Sequence, residues 1–347
     1  MLKKNPENQN ILSRARGGIK AALYELSVRT HQLFHKKGKA AKKSLGRTRR
    51  QDMIFYALMS AIPILHFLIF YVAVNINFIL LSFKSFSLAQ NDFIWAGFEN
   101  FIKVIDDFKG NLMMIGALKN SLIVYAVNTF VGFLTGLLFA FYVYKKMPLA
   151  NTFRLILFLP SIIPGLVLTM MYGYFVDRAV PSIVSLFTHT DEIGLLSAPS
   201  TQFVTILFYC IWTGFGSSVL INTGAMSGID ESIVESAKLD GAKLMREFFS
   251  ITLPLIWPTL SIFLTVGIIG IFTSQMGLFN FYGAYAPNHL ITLGYYMFAT
   301  VQTALASGGS QAGYPYLSAM GLTMTAIVLP VTLFVRWALE KFGPKTY

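Results

Sequence analysis

Charged residues are scarce in this sequence. Only 13% of its 347 residues are charged, whereas 54% are hydrophobic. A typical soluble domain carries about 25% charged residues, so the composition excludes an ordinary soluble globular protein. It also excludes a disordered chain, because disordered segments are poor in apolar residues.

Cysteine and the common catalytic motifs are also scarce. The one cysteine is Cys210, so no intramolecular disulfide can form. The sequence has no GxxxxGK(S/T) phosphate loop, no GxGxxG following a strand and no HExxH motif. Its five histidines are scattered without metal-ligand spacing. We therefore predict no enzyme activity, no metal site and no cofactor in this chain.

The charge that is present is unevenly distributed. Residues 1–50 hold half of the 28 Lys and Arg residues but only two of the 16 Asp and Glu residues, and residues 51–347 are neutral overall. A basic block next to a long apolar segment favours a membrane surface over nucleic acid. Apolar residues recur at helical spacing over 19–34. The region 1–50 is therefore either an amphipathic helix on the lipid surface or a disordered tail.

Six apolar segments in residues 51–347 are long enough to cross a bilayer, which takes about 20 residues. They run over 53–82, 120–144, 152–176, 201–221, 255–281 and 317–339. Lys and Arg concentrate in alternate connections, which predicts that both termini are cytoplasmic. A shorter segment, 290–305, predicts a helix outside the membrane and partly buried against the bundle, with a Gly-rich exit at 307–313. The expected fold is an all-α polytopic membrane protein with six transmembrane helices.

The connection between the fourth and fifth segments, residues 227–254, is too long and patterned for a passive turn. We call it the signature loop. Ser227-x-x-Asp230 and Ser232-x-x-Glu235 match the capping box that starts helices. The pattern predicts a helix over 232–239, a sharp turn at Gly241 and a second helix over 242–251. The residues alone indicate a rigid docking element for an unspecified partner, or an interfacial loop without one.

The spacing within this loop resembles the EAA signature of binding-protein-dependent ABC importer permeases. The residues that carry the resemblance are Glu235-Ser236-Ala237, Gly241 and Ile251-x-Leu253-Pro254. The surrounding sequence resembles the carbohydrate branch and is similar to the larger permease subunit of the maltose importer, over roughly residues 55–345. Two positions depart from the family pattern, since Asp230 replaces a proline and Ser236 replaces the middle alanine.

The resemblance implies that residues 51–347 form the permease domain of a carbohydrate importer in the cell membrane. The first helix of the loop would be the coupling helix, seated in a groove of an ATPase subunit. The implied coupling residues are Glu235, Ser236, Ala237, Asp240, Gly241, Ala242, Ile251, Leu253 and Pro254. The implied partners are two ATPase subunits that bind ATP and Mg, a second permease subunit (a heterodimer is favoured) and an external solute-binding protein. No nucleic acid is expected.

The family's substrate path lies near the middle of the membrane, between the two permease subunits. The polar and aromatic candidates for it are Trp212, Ser217, Thr273, Ser274, Gln275 and Asn280. Sugars favour aromatic faces beside hydrogen-bonding groups, so Trp212 and Gln275 are the preferred pair, although Ser and Thr in spans often bond the backbone instead. The sequence does not name the sugar. Gly132-x-x-x-Gly136 is either a helix-contact face or ordinary packing within the bundle.

Two other classes of function remain open at this stage. One is a secondary carrier or channel that works without an ATPase, and the other is a membrane scaffold. No Asp, Glu, Lys or Arg lies near the centre of any of the six segments. Since buried charges mark many ion-coupled carriers, this observation weighs against the first alternative.

Overall fold

The computed structural model describes residues 50–188, 193–306 and 311–344. The basic region up to residue 49, including the segment 19–34, lies outside them, as do residues 307–310 of the predicted Gly-rich exit. The chain divides into two compact units, Met1–Ile76 and Asn77–Tyr347. The first long helix, α1, runs over Arg50–Ser82. Its large apolar side chains between residues 53 and 71 are exposed. A helix that is apolar all round suits a lipid environment.

A β-hairpin follows α1, so the expectation of a purely α-helical fold was wrong in this detail. Strands β1 (Lys84–Ser87) and β2 (Asp92–Trp95) pair antiparallel, with Phe86 opposite Phe93. The two rings lie 5.3 Å apart, edge to face. The amide of Asn100 donates to the carbonyls of Ser82 and Lys84, at 2.9 and 2.7 Å. These contacts fasten the hairpin to the helix that follows it.

The remaining elements are mostly helices. They are α2 (Glu99–Gly110), α3 (Leu112–Tyr144), α4 (Ala150–Ile162), α5 (Gly165–Phe187), α6 (Pro199–Ser227), α7 (Glu231–Leu239), α8 (Leu244–Glu247), α9 (Trp257–Thr273), α10 (Leu278–Tyr282), α11 (Leu293–Ala306) and α12 (Tyr314–Phe342). Within the described residues, five stretches are long and apolar enough to cross a membrane: α1, α3, α6, α12 and the stretch Trp257–Tyr282. A sixth crossing is present if α4 and α5 together form one bent span.

The predicted third span, 152–176, is not one straight helix. Helices α4 and α5 are bent by 104° relative to each other. Ile163 lies before Pro164 and adopts an extended backbone, with φ −74° and ψ 135°. A proline ring disfavours the helical conformation of the residue that precedes it. Pro164 is extended as well, with φ −53° and ψ 129°, so these two positions break an apolar run that hydropathy alone interprets as continuous.

The fifth predicted span, 255–281, is also interrupted. Residues 274–277 separate α9 from α10, and both Met276 and Gly277 have positive φ, 53° and 66°. Met276 is buried, so packing holds a backbone conformation that a side chain disfavours. The Thr292 hydroxyl donates to the carbonyl of Ser274 at 2.7 Å and fixes the start of the break.

The short apolar segment 290–305 is confirmed as a helix partly buried against the bundle, here α11. It buries Leu293, Tyr295 and Ala299. The Tyr295 hydroxyl donates to the carbonyl of Gly283 and accepts from the amide of Ala286, at 2.8 and 2.9 Å. At 14 residues, α11 is not among the helices long enough to cross a membrane.

The second half of α3, from Asn128 onwards, packs closely against α6. A Cβ on Gly136 would lie 2.8 Å from the hydroxyl oxygen of Ser218, and one on Gly132 would lie 3.6 Å from Ile211. The two glycines therefore form a contact face within the chain's own bundle. Beyond this contact, towards the signature loop, lies an apolar cluster. Its buried members are Leu137, Ala140, Phe141, Val143, Val219, Met226, Phe248, Ile256 and Leu260.

Candidate functional site

The first helix of the signature loop, α7, begins with a side-chain cap. Asp230 has an extended backbone, and its carboxylate accepts the backbone N–H of Ser232 at 2.9 Å. Hydrogen bonds from this amide and from the Ser232 side chain hold the pKa of Asp230 below its ordinary value. The two capping boxes predicted at Ser227 and Ser232 were wrong, because the cap is Asp230. The Ser227 hydroxyl donates instead to the carbonyl of Thr223 within α6.

The end of α7 is closed by two backbone hydrogen bonds. The N–H of Ala242 donates to the carbonyl of Ala237, and that of Gly241 donates to the carbonyl of Lys238, each at 3.0 Å. Gly241 has φ +74°. This is the Schellman arrangement, which places glycine in the left-handed conformation just past a helix end. The predicted turn at Gly241 is therefore present, and Ala237, Gly241 and Ala242 build it together.

The second half of the loop leads into α9. Helix α8 begins at Leu244 and not at 242, because Ala242 is used to close α7. A wider, π-type turn, Phe248–Thr252, and a final helical turn, Leu253–Leu255, follow it. Pro254 lies in the first turn of the latter, where its missing N–H costs nothing. Only Ile256 separates this turn from α9.

Helix α7 has one buried and one exposed side. Val234 and Ala237 are buried, whereas Glu235, Ser236 and Asp240 are exposed. The apolar side chain of Leu239, at the end of α7, is 88% exposed. Met245 and Phe249, further along the loop, are also exposed. The motif residues Ile251, Leu253 and Pro254 are half-buried, and Leu253 packs against the apolar cluster that contains Phe248.

An open groove of about 1050 Å³ lies between the loop and the end of α3. Its charged lining residues are Lys145, Lys146, Glu231, Lys238, Lys243 and Glu247. The Lys145 ammonium contacts both carboxylate oxygens of Glu247, at 2.6 and 2.8 Å. The sequence analysis did not predict this ion pair. Its partners are 102 residues apart, and a single sequence offers no signal that joins them.

Trp212, a candidate for the substrate path, lies in an aromatic cluster. Its ring centroid is 6.1 Å from that of Tyr172 and 6.4 Å from that of Tyr209. The Tyr209 hydroxyl is hydrogen-bonded to that of Thr169 at 2.8 Å, and the Tyr172 hydroxyl donates to the carbonyl of Thr205. Trp212 is half-buried at the edge of this cluster, so part of the residue is accessible.

The other path candidates lie at different places. Ser274 lines a cavity of about 340 Å³ between α3 and α9, whereas Asn280 lines a separate cavity of about 420 Å³ beside α5. The Thr273 hydroxyl donates to the backbone carbonyl of Ile269, the alternative noted for such residues. Ser217 and Gln275 are not among the lining residues of these two cavities. The structure therefore places Ser274 and Asn280 in two different cavities.

The cavity between α3 and α9 has polar lining that the sequence did not single out. Its polar side chains are Tyr125, Asn128, Thr129 and Ser274. Asn128 is exposed and begins a π-helical stretch of α3, Asn128–Phe133. Such stretches are frequent at functional sites. The adjacent polar pair Asn128-Thr129 inside an apolar run was the available sequence signal.

Comparison with known proteins identifies the class. Residues 132–346 match the family described as the inner membrane component of binding-protein-dependent transport systems. The match covers more than half of the chain, so the chain belongs to this family. The part of the chain that the structure describes holds five helices long and apolar enough to cross a bilayer, so this is a multi-pass membrane protein.

Individual relatives agree with this family. The probable starch degradation products transport permease AmyD of Thermoanaerobacterium thermosulfurigenes is 28% identical over 76% of this chain and 89% of its own length. A probable ABC transporter permease of Mycoplasma pneumoniae is 33% identical, over 37% of this chain and 40% of that protein. In a crystal structure of a bacterial alginate ABC transporter with its alginate pentasaccharide-bound periplasmic protein, one chain superposes with a TM-score of 0.65. That match has 21% identity and covers 82% of this chain and 93% of that one, so it shows a shared fold.

Proposed function

We propose that this chain is the transmembrane permease subunit of an ATP-binding-cassette importer that carries a sugar or oligosaccharide across the cytoplasmic membrane into the cell. Membership of the binding-protein-dependent family supports this proposal. A relative named for starch degradation products and a structural neighbour captured with an alginate oligosaccharide favour a carbohydrate. The sugar itself is left open.

Helix α7 carries the proposal, because it has the features of a docking element. Asp230 fixes its start and the Gly241 turn fixes its end, so both ends are rigid. Its outer side presents Glu235, Ser236 and the almost fully exposed Leu239. Exposed apolar side chains in a loop that leaves the membrane favour a protein partner. We assign that partner as an ATPase subunit and α7 as the coupling helix.

The attachment of the loop supports a mechanism of alternating access. ATP and Mg are bound by two partner ATPase subunits, whose closure moves α7. The loop continues through Pro254 into α9 with a single intervening residue, Ile256. Such a connection transmits a rigid-body displacement to a membrane helix. A second permease subunit, in a heterodimer, completes the path, and an external solute-binding protein delivers the sugar.

The contact between Lys145 and Glu247 supports six crossings. Lys145 follows the end of α3, and Glu247 belongs to the loop after α6, so α3 and α6 end on the same side of the bundle. The chain between them then crosses an even number of times. Helix α6 is one crossing, and the bent pair α4–α5 supplies the other.

A second contact supports the placement of the C-terminus on that same side. The Trp257 indole N–H, at the start of α9, donates to the carbonyl of Leu339, near the end of α12. The excess of basic residues in the connections on this side favours the cytoplasm.

The substrate path is assigned to α3, α6, α9 and α10 and to the two cavities described above. We propose that Trp212 offers an aromatic face to a sugar ring, and that Ser274 and Asn280 offer hydrogen bonds from the two cavities that they line. Ser217, Thr273 and Gln275 remain proposed path residues on the basis of the sequence. Asn128 is added to them, because it lines the same cavity as Ser274.

Co-purification and reconstitution test the function. The tagged chain is co-expressed with its second permease and ATPase partners, and uptake of maltotriose and of an alginate pentasaccharide is measured in proteoliposomes with and without ATP. We expect the ATPases to co-purify and uptake of at least one sugar to require ATP. Leu239→Asp should release the ATPases, whereas Leu88→Asp, at a similarly exposed position in the hairpin turn, should not. A chain that purifies alone and transports sugar without ATP would instead be a secondary carrier or channel.

A further inference from the structure

The two ion pairs of the described residues are unlike each other. Arg336 and Glu340 form an exposed pair within α12, and their side chains are 65% and 59% exposed. Lys145 and Glu247 join two distant parts of the chain, and their side chains are only 10% and 3% exposed. The buried pair is also bidentate, because the ammonium contacts both carboxylate oxygens.

Two aromatic rings lie near the Lys145 ammonium group of this pair. The ammonium lies 6.0 Å from the ring centroid of Phe141 and 5.9 Å from that of Tyr144. The ring of Phe248, the residue after Glu247, is 4.9 Å from the ring of Phe141. The end of α3 and the second half of the signature loop are thus joined by a polar and an apolar contact side by side.

Stability alone gives little reason for a buried ion pair here. Removing two charges from water costs about as much as their attraction returns, so an apolar pair of similar volume would hold the two segments as well. The ion pair instead fixes where the loop contacts α3. Apolar surfaces can slide against each other, whereas two short charged contacts between Lys145 and Glu247 define one register of the loop on α3.

Helices α3 and α9 form the walls of the same intramembrane cavity. Tyr125 and Asn128 of α3 face it from one side, and Phe263 and Gly267 of α9 from the other. The signature loop runs directly into α9. Through Glu247 it is also attached to Lys145, next to the end of α3. One loop therefore holds both walls.

We propose that Lys145 and Glu247 are positioning residues that couple the signature loop to α3, so that a displacement of the loop moves both walls of this cavity together. The inference rests on the proposed function, since it assumes that ATPases drive the loop. Without the pair, the loop still moves α9, but α3 no longer follows in a fixed register. ATP hydrolysis then continues with less sugar carried per ATP.

The test is the number of sugar molecules imported per ATP hydrolysed by the reconstituted full complex. Glu247→Gln and Lys145→Met should assemble and hydrolyse ATP, but lower this ratio by roughly fivefold or more. The exchanged pair, Lys145→Glu with Glu247→Lys, should recover part of it. Glu340→Gln, which breaks the exposed pair, should leave the ratio unchanged.

The outcomes are distinguishable. If both single variants import as much sugar per ATP as the wild type, the inference is overturned and the proposed function stands. If the wild-type complex itself imports no sugar with ATP, the proposed function is overturned. If a single variant fails to assemble, the double variant Lys145→Met with Glu247→Leu takes its place, since it leaves no unpaired buried charge. It should assemble and still show the lowered ratio, and a normal ratio in it overturns the inference.

Discussion

The carbonyl group of Leu157 in α4 lies directly against Gly216 in α6. A Cβ at position 216 would be 2.1 Å from that oxygen and 2.8 Å from the Cα of Phe158. The two helix backbones touch here because residue 216 has no side chain. This contact holds the first half of the bent pair α4–α5 against a long membrane helix.

A methyl group at position 216 should therefore be destabilising. In Gly216→Ala the helices must separate, and overpacking of this kind costs about 1–3 kcal/mol or more. Gly214→Ala is the matched control, because a Cβ there meets nothing within 4 Å. Thermal unfolding in detergent should show a lower Tm for Gly216→Ala alone. Equal melting of the two variants would contradict the close contact.

Gly241→Ala should loosen the end of α7. The residue has φ +74°, a conformation that costs an alanine roughly 1 kcal/mol or more. Amide hydrogen exchange at Ala242, whose N–H closes the helix, should become faster, and ATP-driven uptake should fall. Gly224→Ala, within α6 and with open space around it, is the control and should change neither. Unchanged exchange at Ala242 would show that the turn tolerates a side chain.

The cap at Asp230 should be sensitive to acid. Its folded-state pKa is lowered from the ordinary value of 3.8, so the cap's contribution to helix stability is present above that value and is lost as pH falls through the lowered pKa. Exchange at the Ser232 amide, corrected for the intrinsic effect of pH, should speed up over that range. Asp230→Asn should keep the protection without this pH dependence, and Asp230→Ala should lose it at every pH. Identical exchange profiles against pH for the three proteins would contradict the role of Asp230 as the helix cap.

Asn128→Leu should lower sugar uptake. The change removes a polar group from the cavity between α3 and α9 while leaving the signature loop untouched. We therefore expect ATPase co-purification to be normal and the uptake rate to fall several-fold. Asn75→Leu is the control, because the Asn75 amide is bonded within its own helix, to the carbonyl of Tyr71. A normal rate in Asn128→Leu would place the path elsewhere.

Features governed by neighbouring residues could be predicted from the sequence. Long apolar runs gave the major helices, and Gly241 gave the turn after α7, because both depend on a few adjacent positions. The cap differed by only a few residues, since Ser227, Asp230 and Ser232 all have side chains able to cap a helix. Which one does so depends on where the backbone turns.

Features that join distant parts of the chain could not be predicted in this way. The Lys145–Glu247 pair and the contact between Leu157 and Gly216 depend on how helices cross in space. Hydropathy also treats Ile163 as one more apolar residue, although Pro164 extends its backbone and turns the chain. The six path candidates were chosen for their chemistry, and the structure separates Ser274 from Asn280 into two cavities.

The corner at Ile163 and Pro164 also has a consequence for the surrounding membrane. A helix leaves its last carbonyls and its first N–H groups without partners inside the helix, and here one helix ends and another begins within a single apolar segment. Acyl chains offer these groups no hydrogen bonds, so protein or water must contact them at this depth. In the proposed arrangement of six spans, a solute that passes this corner would meet polar backbone where the rest of the bilayer would offer it only hydrocarbon.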